Sequence, residues 1–212
     1  MESKIRKDRS EQILKEQNIP VNPNLPGIKS KDEVVLRTKE ETVDRALCLA
    51  AVSLKQDGLE QADIEEFIKD HDITDKFSPS EIEFIKTESV SLQGKIQFTW
   101  RYESLWVLLW ALGYLKALKY PGKLCNPAIA IQIISSKTLE EFQKYAKLRD
   151  ISEILDQADL IYRYHWAVLD ARIKNLPIPG KLDAGVVQER HYALNWLINY
   201  RNQGWDNVTT DI

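Results

Sequence analysis

Arginine and histidine side chains in otherwise apolar helical positions are the residues of this sequence that could carry chemistry. A guanidinium group matches a carboxylate or a phosphate through two parallel hydrogen bonds, and a neutral imidazole serves as a base or as a metal ligand. The candidate polar cluster, with the carboxylates that belong to it, comprises Arg45, Arg101, Glu103, His165, Asp170, Arg172, Glu189, Arg190 and His191.

Helical spacing places these groups beside apolar neighbours. Arg45 shares a face with Cys48 and Leu49, and Arg101 precedes Leu105 by one turn. The face of a long predicted helix that carries His165 and Arg172 also carries Ile151, Ile154, Leu155, Ala158, Ile161, Leu169 and Ile173. Arg190 and His191 flank the buried side of the last helix, which Val187, Leu194 and Ile198 define. Since an unpaired buried charge costs several kcal/mol, each cation needs an anion.

Three interpretations of this cluster remain open. The one we favour is an internal ion-pair network that fixes the register of the helices, with partners drawn from Asp44, Glu103, Asp159, Asp170, Glu189 and Asp206. The second is a partly open pocket in which arginine and histidine bind a small anion. The third is a metal site formed by His165, His191 and a carboxylate, but the histidine spacing is not diagnostic. We therefore predict no metal and no cofactor.

Composition excludes several functional classes. The chain has 212 residues, a formal net charge of -3 and a pI of about 5.7, which argues against nucleic-acid binding and against an anionic membrane surface. Phosphate-binding loops, His-Glu-x-x-His and Gly-x-Ser-x-Gly are missing from the sequence. The start lacks the apolar stretch of a secretory signal, and two cysteines cannot make a disulfide framework, so we expect a cytoplasmic location.

Helix start signals recur along the chain, and strand signals do not. Capping boxes begin at Thr38, Ser78, Thr138 and Asp150, and Asp183 precedes the last helix. An apolar helix is predicted over 98–118, at the centre of the fold. The sequence predicts an all-α fold of about nine helices in one domain, 1–212, in which 1–37 form a helix and a Pro-rich extended arm packed on it. Residues 89–97 alternate weakly, which leaves a short β-hairpin or a loop open there.

Several longer stretches carry a resemblance to a known family. They are Phe98 to Trp106 with Ala111-Leu112-Gly113, Ala158 to Trp166 with Asp170-Ala171-Arg172, Glu189 to Trp196, Arg9-Ser10-x-x-Ile13-Leu14, and Trp205 to Asp211. With these motifs the chain resembles the domain-of-unknown-function 4272 family over nearly its whole length. The resemblance implies a bacterial, mostly helical domain, and it brings no assigned activity and no catalytic residue. It also implies that the candidate charged positions belong to family motifs.

Two functions compete on this sequence, and whether the protein is an enzyme stays open. The first is a non-enzymatic protein that binds a protein partner or a small anion. The second is a hydrolase or transferase that acts on a phosphate- or carboxylate-bearing substrate, with His165 or His191 as the base and arginines as anion ligands. A histidine bonded to a carboxylate beside an open pocket would favour the enzyme, and a sealed network would favour the binding protein.

Overall fold

The first helix and the segment after it form one side of the molecule. The computed structural model describes residues 1–87 and 100–212. Helix α1 spans Glu2–Glu16 and is followed by an extended arm, residues 17–37, which contains a single 3-10 turn at Lys31–Glu33. The arm folds back along α1, because Lys7 Nζ donates to the carbonyl oxygens of Pro23 and Leu25 at 2.5 and 2.6 Å. Prolines keep most of this segment extended and without α-helix.

The described residues form nine α-helices and no strand, which confirms the all-α prediction for that part of the chain. After α1, the helices are α2 Lys39–Gln56, α3 Gln61–Asp70, α4 Pro79–Lys86, α5 Arg101–Ala111, α6 Pro127–Ser135, α7 Leu139–Tyr145, α8 Ile151–Ile173 and α9 Ala184–Leu197. Short 3-10 turns follow at Pro179–Lys181, Tyr200–Asn202 and Trp205–Asn207.

Side-chain caps begin the helices where the sequence predicts them. Thr38, Ser78 and Thr138 each form a reciprocal capping box with the glutamate three residues later. Asp150 and Asp183 accept backbone N–H groups at the starts of α8 and α9. These bonds satisfy amide groups that the first turn of a helix leaves without a partner.

Five helices enclose the core. Helix α5 packs between α2 and α9, and α8 packs between α9 and α1. Fully buried leucines of α2 and α5, among them Leu47, Leu49, Leu105 and Leu108, form the centre of the core. Several charged side chains are also buried in this apolar interior, and each of them needs a partner there.

Helix ends differ from the prediction at two points. The central helix stops at Ala111 and does not reach 118, because Gly113 takes a left-handed φ of 83° and turns the chain. The last helix stops at Leu197, just before Ile198, which the apolar pattern includes in it, since Asn199 takes a left-handed φ of 50°. The hairpin or loop considered at 89–97 lies outside the described residues.

Candidate functional site

Arg45 is held inside the fold by a buried ion pair. Its guanidinium donates to Glu81 Oε2 of α4 at 2.6 Å and to the carbonyl oxygen of Lys76 at 2.6 Å. Glu81 also accepts the Ser78 amide of its own capping box. One carboxylate thereby caps α4 and neutralises a cation from α2, which fixes the position of α4 against α2.

Arg101 pairs with Glu189, which joins α5 to α9. Arg101 Nη1 lies 2.9 Å from Glu189 Oε1, and the Ser104 hydroxyl donates to the same oxygen at 2.7 Å. The guanidinium also stacks on the ring of Tyr192, 5.0 Å from its centroid. The cation in the first turn of α5 therefore has its anion within the protein.

A second ion pair, between Arg190 of α9 and Glu103 of α5, joins the same two helices. Here α9 supplies the cation and α5 the anion. Arg190 Nε donates to Glu103 Oε2 at 2.9 Å, and both side chains are buried. Glu103 also accepts the backbone amide of Cys125, and Arg190 Nη1 donates to the Lys119 carbonyl at 2.6 Å. Arg190 in addition lines a small cavity of about 190 Å³ beside Tyr120 and Tyr164.

His165 and His191 form a buried pair between α8 and α9. Their Nδ1 atoms lie 2.9 Å apart, and the side chains are 3% and 2% exposed. Burial and the nearby Arg172 charge lower the pKa of His165 to about 4, and burial with the His165 ring lowers the pKa of His191 to about 3. Neither imidazole bonds to a carboxylate in the described parts of the chain. Both rings are thus neutral at physiological pH.

Two predicted site residues lie apart from this interior. Arg172 is exposed near the end of α8, where the adjacent Ile173 is 80% exposed, so the helix continues past the core that its earlier residues face. Asp170 bonds to Lys174 at 2.8 Å in a surface pair. The structure therefore separates Asp170 and Arg172 from the buried pairs of Arg45, Arg101 and Arg190.

A buried pair holds the arm, formed by Asp159, one of the acidic partners expected from the sequence, and Arg163, which was not predicted. Arg163 donates to both carboxylate oxygens of Asp159 at 2.8 and 2.9 Å, and Arg163 also donates to the Pro26 carbonyl at 3.1 Å. Asp159 in turn accepts the Ile28 amide at 3.2 Å. The spacing of four residues between acid and base was the available signal. Arg163 was not selected because it lies off the apolar face assigned to this helix.

Trp205 was predicted only as a motif residue, and it packs among the arginines. The guanidinium groups of Arg45 and Arg101 lie 5.2 and 5.5 Å from its ring centroid. The Tyr192 hydroxyl donates to its carbonyl oxygen. The following residue, Asp206, accepts the Ser80 amide and hydroxyl at 2.9 and 2.7 Å. The segment after α9 thus connects α2, α4, α5 and α9.

A cleft of about 550 Å³ opens between the arm and helices α8 and α9. We call it the arm cleft. Its lining comprises Pro26, Gly27, Ile28, Lys29, Glu33, Val34 and Val35 of the arm, Tyr162 of α8, His191 and Asn195 of α9, and Ile198, Asn199, Tyr200, Arg201, Asn202 and Asp211 beyond α9. Of the predicted site residues, His191 is the one that lines this cleft.

The polar groups of the arm cleft divide into a neutral floor and a charged rim. His191 and Asn195 are buried and lie one turn apart on α9, and the Tyr162 ring lies 5.8 Å from the His191 ring. At the rim, Arg201 pairs with Asp211 at 2.6 Å, and both side chains are about half exposed. The cleft has the size and mixed lining of sites that bind small molecules.

Comparison with known families places the whole arrangement in one group. The family model described as Domain of unknown function (DUF4272) matches residues 6–208. The chain belongs to the DUF4272 family. This match confirms the resemblance expected from the motifs, and it spans the arm, the buried pairs and the lining of the cleft apart from Asp211. Searches of curated proteins and of solved structures gave no match. The DUF4272 assignment carries no activity.

The described residues show neither a metal cluster nor a membrane-spanning helix. Residues 1–87 and 100–212 contain no group of three or more histidine, cysteine, aspartate or glutamate side chains that could hold a metal ion. In the same part of the chain, no helix is long and apolar enough to cross a membrane.

Burial raises the pKa of the Cys48 thiol to about 12 and raises that of Cys125 as well, so neither is activated as a nucleophile.

Proposed function

We propose that this protein is a non-enzymatic binding protein whose arm cleft receives a small molecule. The observation that carries the proposal is the floor of the cleft, where the buried polar side chains of His191 and Asn195 lie side by side in a space of about 550 Å³. Small-molecule sites are concave spaces with a mixed lining, in which a few polar side chains orient the ligand, and the arm cleft has this form.

The ion pairs support this choice over an anion bound by the candidate arginines. Arg45, Arg101 and Arg190 each have a carboxylate within 3.0 Å, at 2.6, 2.9 and 2.9 Å respectively. A paired guanidinium needs no external anion to offset its burial. These contacts support a role for the three arginines in the packing of the helices.

The state of the histidines argues against the alternative of a hydrolase or transferase. A general base works best with a pKa near the working pH, and those of His165 and His191 lie well below it, at about 4 and 3. In the described residues, His165 and His191 have each other as partner and lack the carboxylate that orients a catalytic imidazole. A protein partner and a cytoplasmic location, both expected from the sequence, stay predictions.

A ligand-observed NMR fragment screen tests the proposal. The wild type is compared with Val35→Trp, which adds a large ring at the opening, and with the control Ile173→Trp, which adds the same ring elsewhere. Both positions are highly exposed, at 76% and 80%, so neither change should disturb the core. We expect hits on the wild type that Val35→Trp weakens and Ile173→Trp leaves unchanged. A wild-type hit list that both variants retain equally would contradict binding in the arm cleft.

A further inference from the structure

The hydrogen bond between the two histidines determines what the floor of the arm cleft can offer a ligand. A neutral imidazole carries one proton, on Nδ1 or on Nε2. Because the two Nδ1 atoms lie 2.9 Å apart, one ring must carry its proton on Nδ1 and the other must accept there. The two rings therefore hold opposite tautomers, and the Nε2 atom of His191 is the ring nitrogen left for a ligand.

Either assignment of the shared proton keeps this hydrogen bond intact. If His165 donates, His191 carries its proton on Nε2 and presents a donor to the cleft. If His191 donates, its Nε2 presents a lone pair. The pair can thus exchange donor for acceptor at the cleft without breaking the contact between α8 and α9. A lone histidine fixed by a carboxylate or a carbonyl lacks this freedom, because its partner only accepts.

The neighbouring side chains add acceptors. Asn195 Nδ2 donates to the Thr209 carbonyl at 2.8 Å, which leaves its Oδ1 for a ligand. Asn199 Nδ2 donates to Asn202 Oδ1 at 3.1 Å, and Asn199 Oδ1 has no partner among the described residues. The floor and the wall above it therefore combine two amide oxygens with an imidazole nitrogen that can donate.

Charge separates the floor from the rim. The floor residues His191, Asn195 and Tyr162 are neutral, and an ionised group placed against them would lose its hydration without gaining a counter-charge. At the rim, Arg201 and Asp211 neutralise each other at 2.6 Å, and the lining residue Lys29 is exposed to solvent. Glu33 is held by the hydroxyl and the amide of Ser30.

We propose that the arm cleft recognises an uncharged group with both a donor and an acceptor, such as a primary amide or a lactam, at Nε2 of His191 and Oδ1 of Asn195. This inference rests on the proposed function and names its ligand class. The carbonyl oxygen of the group accepts from His191, and its N–H donates to Asn195. His165, which does not line the cleft, adjusts its tautomer to match.

Three probes of the same size test the ligand class: benzamide, benzoate and benzylammonium, each titrated by protein-observed NMR to about 10 mM, since fragments of this size bind in the millimolar range. We expect benzamide to bind about tenfold or more tighter than either charged probe. His191→Phe should abolish that preference, because the ring stays and Nε2 is lost. His71→Phe, which removes an imidazole at the end of α3 that does not line the cleft, is the matched control and should retain the preference.

The outcomes separate this inference from the proposed function. Tighter binding of benzoate or benzylammonium in the cleft would overturn the amide class and leave small-molecule binding intact. If none of the three probes binds, the amide class is also overturned. The fragment screen then tests separately whether the cleft binds any small molecule. In long-range ¹H–¹⁵N spectra, the imidazoles must show opposite tautomers, with His165 carrying its proton on Nδ1 when benzamide is bound. Identical tautomers in the two rings would refute the mechanism.

Discussion

At the scale of single residues, substitution of a buried arginine should lower stability more than substitution of a surface cation, because the charge of the buried partner is left unpaired. Removing one member of a buried pair strands the other charge in a medium that solvates it poorly, at a cost of about 3–5 kcal/mol. An exposed pair such as Asp170 with Lys174 contributes about 0–1 kcal/mol. The structure therefore predicts a clear separation between the two kinds of site.

Arg101→Met tests whether the anion of Arg101 belongs to the protein. Because Glu189 lies 2.9 Å away and is largely buried, we expect the free energy of unfolding to fall by about 2–4 kcal/mol. Sulfate at constant ionic strength should stabilise the wild type and the variant equally, since neither has an empty anion site there. Urea denaturation with and without sulfate measures both. Stabilisation of the wild type alone by sulfate would point to an anion-binding site instead.

The histidine pair makes the free energy of unfolding depend on pH. Burial lowers the pKa of both rings from the ordinary 6.5, to about 4 for His165 and about 3 for His191, so the unfolded chain binds more protons between these values and 6.5. The free energy of unfolding must then fall as the pH drops below about 6.5, with each ring contributing up to about 1.4 kcal/mol per pH unit.

Denaturation curves between pH 7 and 5 measure this slope, and the double variant His165→Phe/His191→Phe is the control. Its stability should depend less on pH over this interval, because the carboxylates titrate alike in both proteins and only the histidine contribution is lost. Equal slopes in the two proteins would show that the rings are not held in their neutral forms.

At the scale of the elements, the caps account for why the helix starts were predictable. Thr38, Ser78 and Thr138 signal locally, through one bond to an amide three residues on. The ends were harder to predict, because Gly113 and Asn199 stop their helices by a left-handed turn that the apolar pattern around them does not reveal. The favoured ion-pair network followed from burial, but the identity of each partner depends on helix packing over long separations, as with Arg190 and Glu103.

The two tryptophans of α5 should respond differently to truncation. Trp110 is 4% exposed and stacks under Arg149, whose guanidinium lies 5.0 Å from the ring, whereas Trp106 is only partly buried. We expect Trp110→Ala to cost about 3–5 kcal/mol and Trp106→Ala clearly less. The denaturant midpoints of the two variants provide the comparison, provided that the free energy of unfolding falls with denaturant concentration at the same slope in both. A larger loss for Trp106 would mean that the faces of this helix are assigned wrongly.

At the scale of the whole molecule, the arm is held against the helices by a small number of polar contacts. The Arg163 and Asp159 pair bonds to the arm at Pro26 and Ile28, which are also wall residues of the cleft. The sequence indicated an arm packed on α1, but it did not indicate that the arm would enclose a space. A cleft arises from how distant segments meet, and no local pattern specifies that.

Arg163→Met should loosen this wall. We expect a loss of about 3–5 kcal/mol in the free energy of unfolding, because Asp159 is left buried and unpaired, and faster hydrogen exchange at the Ile28 amide that Asp159 accepts. Lys174→Met, which breaks an exposed pair on the same helix, is the control and should change neither quantity by much. Unchanged exchange at Ile28 in the Arg163 variant would mean that the arm is held by other contacts.

The most direct measurement of the central claim is a map of backbone amide shifts on titration with a hit from the fragment screen. Small-molecule binding in the arm cleft predicts that the largest changes fall on the arm between Pro26 and Val35, on His191 and Asn195, and on the turn at Tyr200–Asn202. Changes centred on the Arg101 and Glu189 pair, or spread evenly over the surface, would contradict the cleft as the binding site.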